Sequence, residues 1–478
     1  MSTQHPDNVN PPFFAASTEL GGEDEVQEAY YIFSHLGCEE QMWDCEGKEI
    51  DNYVVKKLLT RHESFFREKR IGKDVFITLR VPNPTVEKTE AKILLETLES
   101  IPRSFDTAKL FYGDDQPPIF EVILPMTSSY KCIDRIYRYY TDFIVGKQNR
   151  QFYDGDITVG EWIGKFHPER INVIPLFEDM PHMLDAHNIT KQYLKLRDVK
   201  HQRVFLARSD PAMNYGLISS VFMNKIALGK LHNLSEESGI KIYPIIGVGS
   251  APFRGNLRPR TVDSVINEYP SVHTFTIQSA FKFDNPPDKV AQAIKKIQER
   301  EAGAPQEVDE ERCMEIMRKY SQEYQKQIIE LAPVINRVAR YVPSRRKRKL
   351  HTGLFGYSRN VEGVTLPRVI TFTAALYSLG LPPEILGLNA LSDDDLKFVR
   401  EVYVNFDTDL RDSLRYFNPE TEYCKKEVLS RVNNVLDFEI NTEHKEITGN
   451  IIKSVKDNRT ESLSDNILRA ASVRKYLG

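Results

Sequence analysis

The chain has 478 residues, enough for two or three domains or for one barrel with large helical additions. A hydrophobic fraction of 41%, a charged fraction of 28% and a net charge of −4 describe an ordinary globular chain with no global pull toward nucleic acid or membrane. Its five scattered cysteines (Cys38, Cys45, Cys132, Cys313, Cys424) contain no CxxC pair, which argues against a zinc site or a disulfide framework and suits a reduced, cytoplasmic compartment.

Residues 1–10 are short and polar and carry His5-Pro6. They hold no basic-then-apolar leader, and a stretch of this kind is ordinarily a disordered tail. Loop is predicted over 10–24, a helix over 25–36, and a strand over 41–47 with Asp44 and Glu46 on one face. A helix over 49–69 precedes a strand over 73–80, which ends in Arg80 and is closed by Val81-Pro82-Asn83-Pro84. Next come a helix over 86–99, a buried strand over 119–126 and a helix over 133–145. Residues 147–170 read as a glycine-containing insertion.

Three strand-ends then follow. Residues 171–179 end in Glu178-Asp179, and residues 203–211 end in Ser209-Asp210-Pro211. Each is a short apolar run that stops in a carboxylate, the pattern of a buried parallel strand at its C-terminal edge. Residues 180–200 between them suffice for one crossover helix. Glu178 and Asp210 are therefore expected at neighbouring strand-ends, roughly 5 Å apart. Two carboxylates so close need a positive partner, and a hard divalent cation, Mg²⁺ or Mn²⁺, suits their oxygen ligands. The plainer alternative is that they cap the helices that follow. The third run, 243–256, is an apolar strand that opens into a loop holding Gly247, Gly249, Arg254 and Gly255.

A helix over 213–231 and a strand over 271–278 complete the alternating part. Strands and helices alternate from about 74 to 284, which calls for a parallel sheet with crossover helices, here the rim of a (β/α)₈ barrel. Helices are predicted over 290–300, 311–341, 367–379, 392–402 and 421–436, with a capping box at Ser392–Asp395 and an exposed connector over 301–310. The expected organisation is one domain, with 1–286 forming the barrel and 287–478 the helical additions. No single apolar run is long enough to span a bilayer.

Several of these stretches together resemble the phosphoenolpyruvate carboxylases. Thr3-Gln4-His5-Pro6 is similar to the family's His-Pro near the first barrel strand. Pro175-Leu176-Phe177-Glu178 resembles its metal-binding Glu run, and Ser209-Asp210 through Gly216 its metal-binding Asp run. The loop from Gly247 to Gly255, the basic stretch Ser344-Arg345-Arg346-Lys347-Arg348, and Phe355–Asn360 through Leu366-Pro367 follow in the family's order. Size, the early His5 and Trp43–Lys48 look like the short archaeal type. Departures exist: Ile246 and Val248 stand where longer members have a His and an extra Arg, and Met213 replaces a Lys.

The resemblance implies that phosphoenolpyruvate and bicarbonate yield oxaloacetate and phosphate, an anaplerotic carboxylation that runs through carboxyphosphate and a metal-stabilised enolate. It implies Glu178 and Asp210 as ligands of Mg²⁺ or Mn²⁺, with His5 and Arg254 as catalytic groups. Arg80, Gly247, Gly249, Gly255 and Arg345 are then expected at the substrate. Arg208, two residues before Asp210, is a candidate for the missing loop arginine. A homotetramer inhibited by L-aspartate is also implied. His182 and His187 lie between the carboxylates and read as ordinary polar-face residues. The alternatives are a Mg²⁺-dependent lyase or aldolase of another 2-oxo acid, and a non-catalytic RNA-binding helical scaffold built on Arg345–Lys349.

Overall fold

Apolar runs that are buried on both faces form the centre of the molecule, as parallel strands must when helices flank them. In the computed structural model, which describes residues 1–45, 51–88, 91–347, 359–361 and 364–478, seven such strands pair side by side in chain order. They are β1 (Glu40–Asp44), β2 (Phe76–Arg80), β3 (Glu121–Leu124), β4 (Asn172–Phe177), β5 (His201–Ala207), β6 (Lys241–Gly247) and β7 (Thr274–Phe275). Every pairing is parallel. The result is a seven-stranded half-barrel, and a short antiparallel hairpin, β8 (Arg359–Val361) with β9 (Val364–Leu366), stands apart from it.

The N-terminal residues run between the two edge strands. Ser2 bridges to Gln41 on one side and to Ile277 on the other. Its N–H donates to Glu40 O (2.7 Å), its carbonyl accepts from Met42 N (2.8 Å), and Thr3 N donates to Ile277 O (2.9 Å). Ser2 and Thr3 are fully buried. Backbone groups in such a place must be paired, and here the two strand edges supply the partners.

The concave side of the sheet encloses its own small core of Met42, Ile123, Ile174, Leu176, Phe205, Ala207 and Ile245. At the strands' N-terminal ends that interior is sealed by Arg203, which pairs with Glu40 (2.7 Å) and Glu121 (2.8 Å). Burial alone would raise the Glu40 carboxyl, but the Arg203 guanidinium outweighs it and holds the group down to about 2.

Most predicted elements are present with shifted ends. The helix expected over 86–99 is Ala91–Tyr112, whose buried face (Leu94, Leu98, Ile101, Phe105, Ala108) continues straight through Pro102. The proline hid its length. The single crossover expected over 180–200 is two short helices, Met180–Leu184 and Ala186–Leu194. The last strand shrinks to β7. Helices Phe406–Leu414, Thr442–Lys456 and Leu463–Arg474 were not expected, although Ile447, Ile451 and Val455 are spaced as one buried helical face. The capping box at Ser392 is formed as predicted. Glu46 and the segment 348–358 lie outside the described residues.

The helix expected over 213–231 breaks at Gly216 into Ser209–Tyr215 and Leu217–Ser238. Gly216 has φ +84°, and a Cβ there would stand 2.5 Å from the Tyr320 ring of the long helix Glu310–Ala339. That break lets the short first helix stay at the strand-ends while the second packs outside. Gly216→Ala should therefore destabilise the protein by roughly 1–3 kcal/mol from the backbone conformation alone, and more from the clash. Denaturant unfolding of the variant should show it as a lowered midpoint.

Candidate active site

Seven of the residues singled out in the sequence line one cavity at the C-terminal ends of the strands: His5, Arg80, Glu178, Arg208, Asp210, Gly247 and Arg254. Arg80 is the last residue of β2, Glu178 directly follows β4, and Asp210 lies in the first turn after β5. Parallel pairing brings these ends to one side by construction. Gln278 and Thr276 enter from the β7 side, and Val369 and Ile370 from the helical part. Met42, Leu176 and Phe205 give the cavity an apolar floor.

Glu178 Oε2 accepts from Met126 N at 2.7 Å. It is Asp179, not Glu178, that caps the next helix, by accepting from His182 N at 3.0 Å. The position that caps the helix after β5 is Arg208, so Asp210 is not a cap either. The plainer structural role for the carboxylate pair is thus taken by other residues. Among the described residues no three or more His, Cys, Asp or Glu side chains are grouped to hold an ion. Two carboxylates are nevertheless what Mg²⁺ or Mn²⁺ commonly takes from a protein, the remaining positions going to water and substrate phosphate. The donor set fits such a cation.

Three arginines face this pair, each fixed differently. Arg80 is locked in a two-pronged pair with Asp44, its cross-strand neighbour on β1 (3.0 and 2.7 Å). Arg208 is 1% exposed and donates to Tyr269 OH (3.2 Å) and Phe253 O (3.3 Å). Arg254, also 1% exposed, donates through Nη1 to Gly478 O (2.7 Å) and Asp7 (3.3 Å), and through Nη2 to Gln278. Burial lowers its proton affinity, while the charges of Asp7 and Asp210 act to restore it.

The glycines of the loop serve the arginine. A Cβ on Gly249 would stand 2.8 Å from the Arg254 Cζ, so only glycine lets the guanidinium lie on the loop backbone. Gly255 has φ +116°, and a Cβ there would meet Val248 at 2.6 Å. Gly247 alone of the three lines the cavity. Behind the loop, buried Glu384 accepts from Phe253 N at 2.6 Å, next to Arg254 in the chain.

Arg345 lies elsewhere. It donates to Val9 O (2.7 Å) and Asn8 O (3.3 Å), and so clasps the N-terminal segment rather than facing the cavity. Its neighbour Arg346 is buried in a cluster with Glu28 (2.7 Å) and Glu25 (3.2 Å), where Lys282 also pairs with Glu28 (2.7 Å). Sequence reading passed over Asp7 and Gln278, and gave Asp44 a place on one face of its strand but not its pairing with Arg80. Asp7 had a usable signal, since it lies two residues beyond His5 in the same segment; the other two had none without the strand register.

His5 reaches the cavity from that segment, with Nδ1 2.8 Å from Thr3 Oγ1. Burial, then the positive charge of Arg80, push its proton affinity well below the ordinary histidine value, so the imidazole is neutral at physiological pH.

A family profile described as Phosphoenolpyruvate carboxylase matches residues 1–478. Curated proteins of that name are similar throughout. The one from Methanothermobacter thermautotrophicus is 61% identical over 478 residues, covering 100% of this chain and 99% of the relative. That from Methanospirillum hungatei is 57% identical with the same coverage. That from Pyrococcus furiosus is 52% identical over 482 residues, covering 100% and 99%.

The surroundings of His5 make a direct prediction. Followed by NMR, its ring should stay neutral as pH falls through 6.5 and protonate only well below. Replacing Arg80 by Gln removes a cation that opposes protonation, so the midpoint should rise. A wild-type midpoint at or above 6.5 would mean that His5 is solvated rather than held in this cavity.

Proposed function

Since the chain belongs to the phosphoenolpyruvate carboxylase family and carboxylates phosphoenolpyruvate to oxaloacetate and phosphate, we propose that this cavity is where the reaction runs. The observation that carries the reading is the convergence of a carboxylate pair, three arginines and a neutral histidine on one cavity. A phosphorylated, doubly anionic substrate calls for several fixed cations, and planar guanidinium forks meet phosphate and carboxylate oxygens best.

Glu178 and Asp210 would hold Mg²⁺ or Mn²⁺; when bound, the cation supplies positive charge where negative charge develops on the substrate oxygen. Arg254 and Arg208 hold the phosphoryl group so that bicarbonate can attack it, with Arg80 at the same mouth. Attack forms carboxyphosphate and releases the enolate. His5, neutral beforehand, accepts the carboxyl proton of carboxyphosphate as its bond to phosphate breaks and CO₂ forms. The apolar floor of Met42, Leu176 and Phe205 keeps water from the enolate until it attacks CO₂. Arg345 supports this site at a distance by fixing the N-terminal segment.

We further propose that residues 1–4 act as an eighth strand that closes the sheet into a (β/α)₈ barrel, a reading supported by the bridges of Ser2 to both edges. Family membership is what supports a cytoplasmic homotetramer inhibited by L-aspartate. The rival lyase or aldolase reading leaves three converging arginines without a phosphate to meet. The RNA scaffold reading is disfavoured because Arg345 and Arg346 are buried and spend their donors inside the molecule.

Glu178→Gln and Asp210→Asn should each lower kcat by roughly 10²-fold or more, the usual effect of removing one group that stabilises developing charge. Melting temperature should change little, while Mn²⁺ affinity by electron paramagnetic resonance should fall. Retained activity with unchanged Mn²⁺ binding would remove both residues from the site.

His5→Asn should still bind phosphoenolpyruvate and release phosphate slowly, but with pyruvate replacing much of the oxaloacetate, because the proton acceptor for carboxyphosphate is gone. Deleting residues 1–7 should abolish carboxylation. Full oxaloacetate yield from either protein would exclude a chemical role for His5.

A further inference from the structure

Arg80 and Arg254 are each held on a carboxylate, Asp44 and Asp7. Arg208 is held on uncharged acceptors. Its Nε donates to Tyr269 OH (3.2 Å), and its Nη1 donates to Phe253 O (3.3 Å) in the loop that carries Arg254. Burial raises the proton affinity of the Tyr269 phenol well above the ordinary tyrosine value, so the hydroxyl is neutral. Asp409, a carboxylate whose charge acts on Arg208, is engaged elsewhere: it accepts from Tyr403 OH (2.5 Å) and from Asn256 Nδ2 (2.7 Å).

The backbone behind Arg208 is fixed as well. Ser220 Oγ donates to Arg208 O (2.6 Å), and Asn224 Nδ2 donates to Ala207 O (3.1 Å), both from the helix Leu217–Ser238. Tyr269 directly follows the helix Val262–Glu268 and is 2% exposed. Lys225 Nζ lies 5.3 Å from its ring centroid and pairs with Glu268 at 2.8 Å, so the ring has little room to turn. A guanidinium is flat, and fixing two of its nitrogens fixes its plane. Nη2, which has no partner among the described residues, is then left for the cavity that Arg208 lines. An uncharged acceptor sets this direction without offsetting the positive charge, whereas a carboxylate in its place would compete with an anionic ligand. Resting on the assignment of Arg208 to the substrate phosphoryl group, we propose that Tyr269 is the positioning residue of Arg208: its hydroxyl turns the guanidinium so that Nη2 meets a phosphoryl oxygen, and it leaves the charge for the substrate. The Phe253 carbonyl sets the other side, but only the hydroxyl can be removed by a single substitution.

The test is a double-mutant cycle in the full-length protein, with Tyr269→Phe, Arg208→Ala and the pair. Tyr269→Phe keeps the ring and should lower kcat/KM for phosphoenolpyruvate at least fivefold. Inorganic phosphate, used as an inhibitor, should bind the variant several-fold more weakly, while Mn²⁺ affinity without substrate should stay within twofold of wild type. In the Arg208→Ala background the same change should cost less than twofold in kcat/KM, because the residue it acts through is gone. A cost of twofold or more in that background, or of less than fivefold in the wild-type background, overturns the proposal. So does parallel weakening of phosphate and Mn²⁺, the mark of a generally loosened site. Arg208→Ala within twofold of wild type would instead remove Arg208 from the substrate, and the proposal would fall with the reading it rests on. Should Tyr269→Phe not fold, Tyr269→Leu runs the same cycle; failure of both to give folded protein makes Tyr269 structural and overturns the proposal.

Discussion

A guanidinium taken fully out of water costs several kcal/mol unless charge and hydrogen bonds replace its hydration, roughly what breaking a buried ion pair costs. Arg254 is in that position, and its environment is assembled from distant parts of the chain: Asp7, Gln278 and Gly478. The glycine at 249 gives it room, and Glu384 fixes the loop that carries it. Glu384 is itself pushed up to about 7 by burial. Seating this one side chain therefore requires the N-terminal segment, the sheet and the helical part to be in place together. That coupling explains why the helical additions cannot be regarded as decoration on a sheet.

The same constraint orders the first residues, against the usual behaviour of chain ends. Ser2 and Thr3 satisfy backbone groups on β1 and on the residues after β7, Lys282 donates to Thr3 O (2.8 Å), and Asp284 accepts from Val9 N (2.7 Å). Arg345 grips the carbonyls of Asn8 and Val9 from the other side. A segment with this many buried bonds cannot trail in solvent, because releasing it would strand donors and acceptors that water does not reach. His5 inherits its fixed place from these neighbours.

What could be read from the sequence follows from what is local. Strand-ends carrying Arg80, Glu178, Asp210 and Gly247 were legible, because an apolar run that stops in a polar residue marks both the strand and its exposed end. Arg254 and the glycines were legible as a loop, but the purpose of Gly249 was not, since the guanidinium it accommodates folds back from five residues on. Arg345 sat in a convincing basic stretch, and only the tertiary structure reveals that its donors face Asn8 and Val9. Helix lengths failed at Pro102, where a buried face continues through a local breaker, and at Gly216, where the chain breaks at a glycine that the expected helix ran through. The C-terminal helices were missed although Ile447, Ile451 and Val455 carried the right period, because charged residues between them diluted it.

The two ends of the sheet interior differ in how their charges are paired. At the N-terminal ends Arg203 meets Glu40 and Glu121 from alternate strands, and the opposite charges satisfy each other within the protein. There the Arg203 guanidinium outweighs burial and holds the Glu40 carboxyl down at about 2. At the C-terminal ends the charges are of the same kinds but are kept apart: Arg80 is held on Asp44, Arg254 on Asp7, and Arg208 on Tyr269 and a carbonyl. A carboxylate pair and three cations in one cavity would collapse into internal ion pairs if left to themselves, as they do at the other end. Each arginine has an anchor of its own instead: Arg80 has Asp44, Arg254 has Asp7 and the last residue of the sequence, and Arg208 has Tyr269 and the Phe253 carbonyl.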